Sequence, residues 1–202
     1  FGTAMSRYGR SSGGTNPLMV NALASGLRMG AALAHRIRVM QDESPLTFNR
    51  QRHGKMDKHR IAGLGHGLSD VFQFTVIEKK KPVNLWMDID FSGSMGGEKG
   101  QKAMAVAVAI AKAASLTRTL NCTIAVRDGS DNVRVAILYD SRKQSFAQFK
   151  AIVPYLTVSG GTPESLAFEA VKEEMLKAYG DERKYFINLS DGEPAHGFHY
   201  KG

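Results

Sequence analysis

Val83-Asn84-Leu85-Trp86-Met87-Asp88-Ile89-Asp90-Phe91-Ser92-Gly93-Ser94-Met95 decides the fold. Residues 83–90 are nearly continuously apolar, the pattern of a strand buried on both faces of a parallel sheet. The run ends on Asp90, and small and hydroxyl-bearing residues follow, which predicts a strand giving way to a loop. In an open α/β sheet, ligands bind beyond the carboxyl ends of the strands. Asp90, Ser92 and Ser94 therefore stand where a ligand belongs.

Working outward, a helix is expected from about 98 to 120. Its stripe of small residues is Ala103, Val106, Ala107, Ile110, Ala113 and Ala114. Residues 122–127 and 133–139 read as two strands joined by the turn cluster Asp128-Gly129-Ser130-Asp131-Asn132. Helices follow at 145–153 and 163–178, the second with Thr162 as N-cap and Pro163 at its first position. Residues 185–189 form another buried strand, leading into Ser190-Asp191-Gly192. On the amino-terminal side, 71–78 reads as a strand joined to 83–90 through Lys79-Lys80-Lys81-Pro82, a charged turn guarding a hairpin edge. A helix over 18–40 places Leu23, Leu27, Gly30, Ala34 and Ile37 inward. Residues 42–56 are polar and irregular, and 57–64 forms a short helix.

Strands alternating with helices predict an α/β fold: a doubly wound, mostly parallel open sheet with one antiparallel edge, preceded by a helical basic extension. The expected division is residues 1–70 for the extension and 71–202 for the domain. The chain stops soon after a core strand, so a carboxyl-terminal truncation, or cover from another chain, is expected.

The 202 residues are 43% hydrophobic and 23% charged, enough for a sizeable core. One cysteine, Cys122, excludes an intramolecular disulfide, reads as a small core residue and fits a reducing, cytoplasmic setting. No run reaches the roughly 20 apolar residues of a membrane span, and no signal peptide is seen. The first residue is Phe1, so the natural amino terminus is expected to lie upstream. The net charge of +8 sits wholly in residues 1–82, with 13 Lys or Arg against 5 Asp or Glu. Residues 83–202 carry 14 of each. That asymmetry reads as an interaction arm for an acidic protein or nucleic acid.

Two more segments should reach the edge where Asp90 lies: Gly160-Gly161-Thr162-Pro163 and Leu189-Ser190-Asp191-Gly192. Asp90, Ser92, Ser94, Thr162 and Asp191 make an all-oxygen set, suited to Mg²⁺, Mn²⁺ or Ca²⁺ rather than zinc. Neutral hydroxyls leave much of a cation's charge uncompensated, so an outside carboxylate would be drawn in. Competing chemistries fit poorly. A phosphate-binding Walker loop needs Gly-Lys-Ser/Thr, which Gly96-Gly97-Glu98-Lys99-Gly100 lacks. A serine nucleophile needs Gly-x-Ser-x-Gly, and Ser92 stands two residues before Ser94 instead. His196 and His199, like His53, His59 and His66, lack companions at ligand spacing. Asp88 shares a strand face with Asp90 and calls for a buried lysine or arginine.

Asp-x-Ser-x-Ser, a distant Thr and a later Asp resemble the metal-ion-dependent adhesion site of von Willebrand factor A domains. The resemblance implies that the hydroxyls of Ser92, Ser94 and Thr162 touch the ion, that Asp90 and Asp191 act directly or through water, and that a partner's Asp or Glu completes the shell. A narrower resemblance rests on Gly54-Lys55-Met56-Asp57-Lys58-His59-Arg60-Ile61-Ala62, Asp70-Val71-Phe72, the adhesion motif and Ser190-Asp191-Gly192-Glu193-Pro194. These stretches are similar to the carboxyl-terminal region of CobT-type cobaltochelatase subunits. The chain departs from them in its shorter stretch between Leu120 and Thr162 and in showing no acidic region upstream. The resemblance implies a partner, a ring-forming AAA+ ATPase of the CobS/MoxR kind.

The leading expectation is therefore a non-catalytic, Mg²⁺-dependent adaptor that works with such an ATPase to remodel or metal-load a client. The basic arm would dock the assembly. The alternatives are a nucleic-acid-binding protein, as in Ro-type ribonucleoproteins, and a structural subunit of a larger particle. The arm's few aromatics (Phe1, Tyr8, Phe48) weigh against the first of these.

Overall fold

Asn16 starts the first helix: its side-chain oxygen accepts from the Leu18 N–H at 3.1 Å, and Pro17 fills the first helical position. The computed structural model describes residues 14–41, 45–76, 82–128, 134–158, 164–179 and 183–192. In chain order the elements are helix α1 (Pro17–Gln41), strands β1 (Leu46–Gln51), β2 (Lys55–Met56), β3 (Phe72–Val76) and β4 (Val83–Asp90), helix α2 (Glu98–Leu116), strands β5 (Leu120–Asp128) and β6 (Arg134–Asp140), helices α3 (Phe146–Ile152) and α4 (Glu164–Tyr179), and strand β7 (Lys184–Leu189). They fall into two units, Phe1–Arg38 with Pro82–Gly202, and Val39–Lys81. This division differs from the expected 1–70 and 71–202.

The larger unit is mixed α/β around a four-stranded sheet of order β6-β5-β4-β7. β4 runs parallel to both β5 and β7, and β6 is the antiparallel edge on β5. Alternation along β4 sends Met87 and Ile89 to one face, where they join Met104, Ala107 and Ala111 of α2 in the main core. Trp86 goes to the other face and packs with Ala125 and Val171 of α4. Helix α3 opens on a capping box: Ser145 accepts from the Gln148 N–H, and Gln148 reciprocates.

Helix α1 is part of this unit rather than a free arm, since Met19 and Ala22 lie in the main core. Gly26 and Gly30 make the approach possible. A Cβ on Gly26 would stand 2.6 Å from the Ala105 carbonyl oxygen, and one on Gly30 would stand 2.7 Å from that of Ala109. Arg38 closes the contact by donating to the Leu116 carbonyl at 2.5 Å. The inner stripe expected for this helix holds at Gly30 and Ala34, with Leu23, Leu27 and Ile37 half-buried beside it.

The smaller unit is a three-stranded antiparallel sheet of order β1-β3-β2. The expected hairpin between residues 71–78 and 83–90 is thus corrected: β3 pairs with β1 and β2, and β4 with β5 and β7. Residues 42–56, expected to be irregular, contain β1 and β2. The short helix expected over 57–64 is a loop running into a 3₁₀ turn at Ile61–His66. Further differences are small but physical. Helix α2 ends at Leu116, Val106 on its small-residue stripe is 41% exposed, and β7 is a half-buried edge strand with Tyr185 outward. The turn after Asp128, the Lys79–Lys81 run, Thr162, Pro163, His196 and His199 lie outside the described residues.

Candidate functional site

Beyond Asp90 the chain leaves β4 through Ser92, which starts a single 3₁₀ turn over Gly93–Met95 before α2 begins. Two glycines make this tight reversal possible. Gly97 has φ +75°, and a Cβ on Gly100 would stand 2.6 Å from the Met95 carbonyl oxygen. The turn therefore sits directly on the first turn of the helix.

Asp90 is fully buried and ties two loops together. Its Oδ1 accepts from the Ser92 N–H at 2.8 Å, and its Oδ2 accepts from the Ser190 hydroxyl at 3.2 Å. The Ser92 and Ser94 hydroxyls lie 3.0 Å apart, Ser92 buried and Ser94 exposed. Gly192, at φ +76°, turns its N–H onto the Ser190 Oγ at 3.3 Å. Asp191, its side chain only 4% exposed, meets the Lys99 ammonium at 3.2 Å. Asp90, Ser92 and Ser94 thus share one cluster, and Asp191 borders it from the next loop. Thr162 lies outside the described residues.

A second layer lies beneath, set by strand register. Asp88 is level with Asn188 of β7, and Asp90 with Arg127 of β5. All four side chains share one sheet face. The Arg127 guanidinium, 1% exposed, donates to Asp88 at 2.5 Å and to the Asn188 side-chain oxygen at 2.8 Å, and stands 3.9 Å from Asp90 Oδ2. Arg127 is the buried basic partner that Asp88 calls for. Ser190, Asn188 and Lys99 are neighbours of this cluster that sequence reasoning missed. Ser190 had a signal in its place beside Asp191, whereas Asn188 and Lys99 are brought in by pairing and by the helix start.

Among the described residues, the carboxylates of Asp88, Asp90 and Asp191 lie near two cations, Arg127 and Lys99. A groove of 330 Å³ opens alongside, lined by Met95, Lys99, Ala103, Val106, Leu189 and Asp191 among others. Among the described residues no group of three or more His, Cys, Asp or Glu side chains is arranged to hold a metal ion; the donors of the cluster are the carboxylate of Asp90 and the hydroxyls of Ser92, Ser94 and Ser190.

No family model matches the chain, and neither does any curated protein. Among solved structures it is similar to the three N-terminal domains of the type V pili tip protein Mfa5 from Porphyromonas gingivalis. The TM-score is 0.45 at 20% identity, over 57% of this chain and 20% of that one, so this chain spans about a fifth of that structure.

Proposed function

We propose that the chain is a metal-dependent binding module of the von Willebrand factor A type, a CobT-like adaptor subunit that is not itself catalytic. The observation that carries this reading is the joining of Asp90, Ser92, Ser94 and Ser190 by hydrogen bonds at the carboxyl end of an inner parallel strand. Oxygen donors of this kind fit Mg²⁺ or Mn²⁺, with Ca²⁺ as the larger alternative. Ser92, Ser94, Asp90 and Asp191 would hold the ion, and Thr162 is the fifth candidate ligand. A bound dication supplies a Lewis-acidic centre for a carboxylate from outside.

The chain's own residues prepare that role. Ser190 and the Ser92 N–H orient Asp90 before any ion arrives. The carboxylates of Asp90 and Asp191 attract a dication, and the neutral hydroxyls leave much of its charge uncompensated. The cluster then favours an acidic side chain, and the neighbouring groove has room for the residue beside it. An AAA+ ATPase of the CobS/MoxR kind is the proposed partner. ATP hydrolysis would belong to that partner.

A thermal melt of the chain in EDTA, Mg²⁺, Mn²⁺ and Ca²⁺, beside Asp90→Ala, Ser94→Ala and Asp191→Ala, tests the reading. A ligand that binds only the native state raises its melting temperature. The expected result is a rise with Mg²⁺ or Mn²⁺ that each variant abolishes. Ser94→Ala is the cleanest of the three, because Ser94 is exposed. A rise that survives in all three variants would overturn the assignment.

A further inference from the structure

Lys99 is the second residue of α2, and the helix start beneath it is firmly seated. Gly100 has no side chain to hold it off the Met95 carbonyl oxygen, so the first turn of α2 rests on the loop that carries Ser92 and Ser94. From that footing the Lys99 ammonium crosses to the loop after β7 and meets Asp191 Oδ2 at 3.2 Å. The pair is unequal. The Asp191 side chain is 4% exposed and that of Lys99 is 56% exposed, so the lysine, on its flexible stem, is the member free to move. Lys102 is already engaged by Glu98 at 2.8 Å. Both lysines line the groove beside the cluster, together with the apolar Met95, Ala103, Val106 and Leu189.

Resting on the metal-site reading, we infer that Lys99 sets specificity, and that the module takes a peptide segment with two neighbouring glutamates. One carboxylate serves the metal and the next serves Lys99. Lys99 and a dication compete for the same carboxylate, because like charges repel at so short a distance. Lys99 therefore gives up Asp191 when the site is filled. Its ammonium is left on the groove wall, where an acid supplied by the ligand takes the place of Asp191. The stem of a glutamate has apolar lining to lie on, and its tip has an ammonium to reach. A ligand with a single acid leaves that ammonium unmatched, and specificity is the difference between the two. A phosphate backbone would bring charge without the apolar stem.

Fluorescence anisotropy on the full chain tests this, with labelled peptides containing Leu-Glu-Glu-Leu or Leu-Glu-Gln-Leu, in Mg²⁺ and in EDTA. In Mg²⁺ the two-acid peptide should bind about two- to five-fold more tightly than its twin, the range of one exposed ion pair. Neither should bind in EDTA. Lys99→Met should bind Mg²⁺ at least as tightly as the unchanged chain, read from the melting temperature, yet hold both peptides equally. A lysine that merely shaped the loop would weaken metal and peptide together. Lys99→Arg should keep the preference. Lys143→Met should keep it too, since it removes the same charge beside Asp140, at the opposite end of β5 from Arg127. If no metal raises the melting temperature, the metal-site reading falls and this inference with it. If Mg²⁺ raises it and the peptides bind equally, bind in EDTA or do not bind, this inference alone falls. It falls also if Lys143→Met removes the preference, or if a single-stranded oligonucleotide binds in the peptides' place.

Discussion

Arg127 stands level with Asp90 in the parallel register of β4 and β5, yet its guanidinium is closer to Asp88, at 2.5 Å against 3.9 Å. The arginine thus satisfies the carboxylate one layer below the candidate site and leaves Asp90 to the loop donors. Asp88 has a structural task, and Asp90 keeps its oxygens directed at Ser92 and Ser190.

Breaking that pair should be costly. Arg127→Met leaves a buried carboxylate without its guanidinium, and losses of about 3–5 kcal/mol are typical of such sites. Urea unfolding should show this loss, with Asp88→Asn also destabilising. The double variant Asp88→Leu/Arg127→Met should be more stable than the sum of the two single changes predicts, because no charge is then stranded. Strict additivity would show that the two residues are not coupled.

Lys99 is expected to compete with a cation for Asp191. Lys99→Met removes the ammonium that lies 3.2 Å from Asp191. Its side chain is more than half exposed, so the gain in Mg²⁺ affinity should be modest, up to about five-fold. Calorimetric titration of both proteins gives the comparison, and weaker binding by the variant would make Lys99 a supporter of the site instead.

Gly26→Ala should destabilise the chain even though alanine is the better helix former by about 1 kcal/mol. The added methyl would meet the Ala105 carbonyl and the Val108 side chain at 2.6 Å, and backbone yields poorly. The net loss expected is about 1–2 kcal/mol, read from the urea midpoint. An unchanged or higher midpoint would mean that α1 can lift off α2 at little cost.

Alkaline pH should unfold the chain through two buried acids. Burial pushes the Tyr139 phenol up to about 12, with Cys122 and Asp140 adding to it. Burial, then Asp140, raises the Cys122 thiol still further. In the unfolded chain these groups lose their protons near their ordinary values of about 8.5 and 10. Their contribution to stability is therefore complete below about pH 8.5 and is lost as pH rises towards 12. Tyr139→Phe and Cys122→Ala should each flatten part of the decline, measured as melting temperature against pH. The Cys122 thiol should also react with a disulfide reagent only as fast as the chain opens.

The sequence reading succeeded where the signal is local. The apolar run of Val83–Asp90 and the small residues of α2 each carry their own structural instruction. Asp90, Ser92, Ser94 and Asp191 could be picked out because strand ends and loop residues follow one another in order. Pairing was less readable. Phe72, Phe74 and Val76 alternate in the same way whatever strand lies beside them, so a turn-like lysine run made β4 look like the partner when it is β1 and β2. Gly26 carried no readable signal, because the helix it admits lies far along the chain. Asn188 and Lys99 were hidden for the same reason: they reach the site through strand register and the helix start.

The ionic layer under the site also guards the accuracy of folding. A slip of one residue between β4 and β5 would turn Arg127 to the opposite side of the sheet. There Met87, Ile89 and Val126 now lie in the main core, and a guanidinium would have no acid to meet. The apolar residues of the two strands discriminate less sharply, since hydrocarbon lies on both sides of the sheet, as Trp86 and Ala125 show on the side of the ionic layer. A single buried arginine therefore distinguishes the correct alignment from its neighbours and acts as a proofreading mark for the sheet that carries the site.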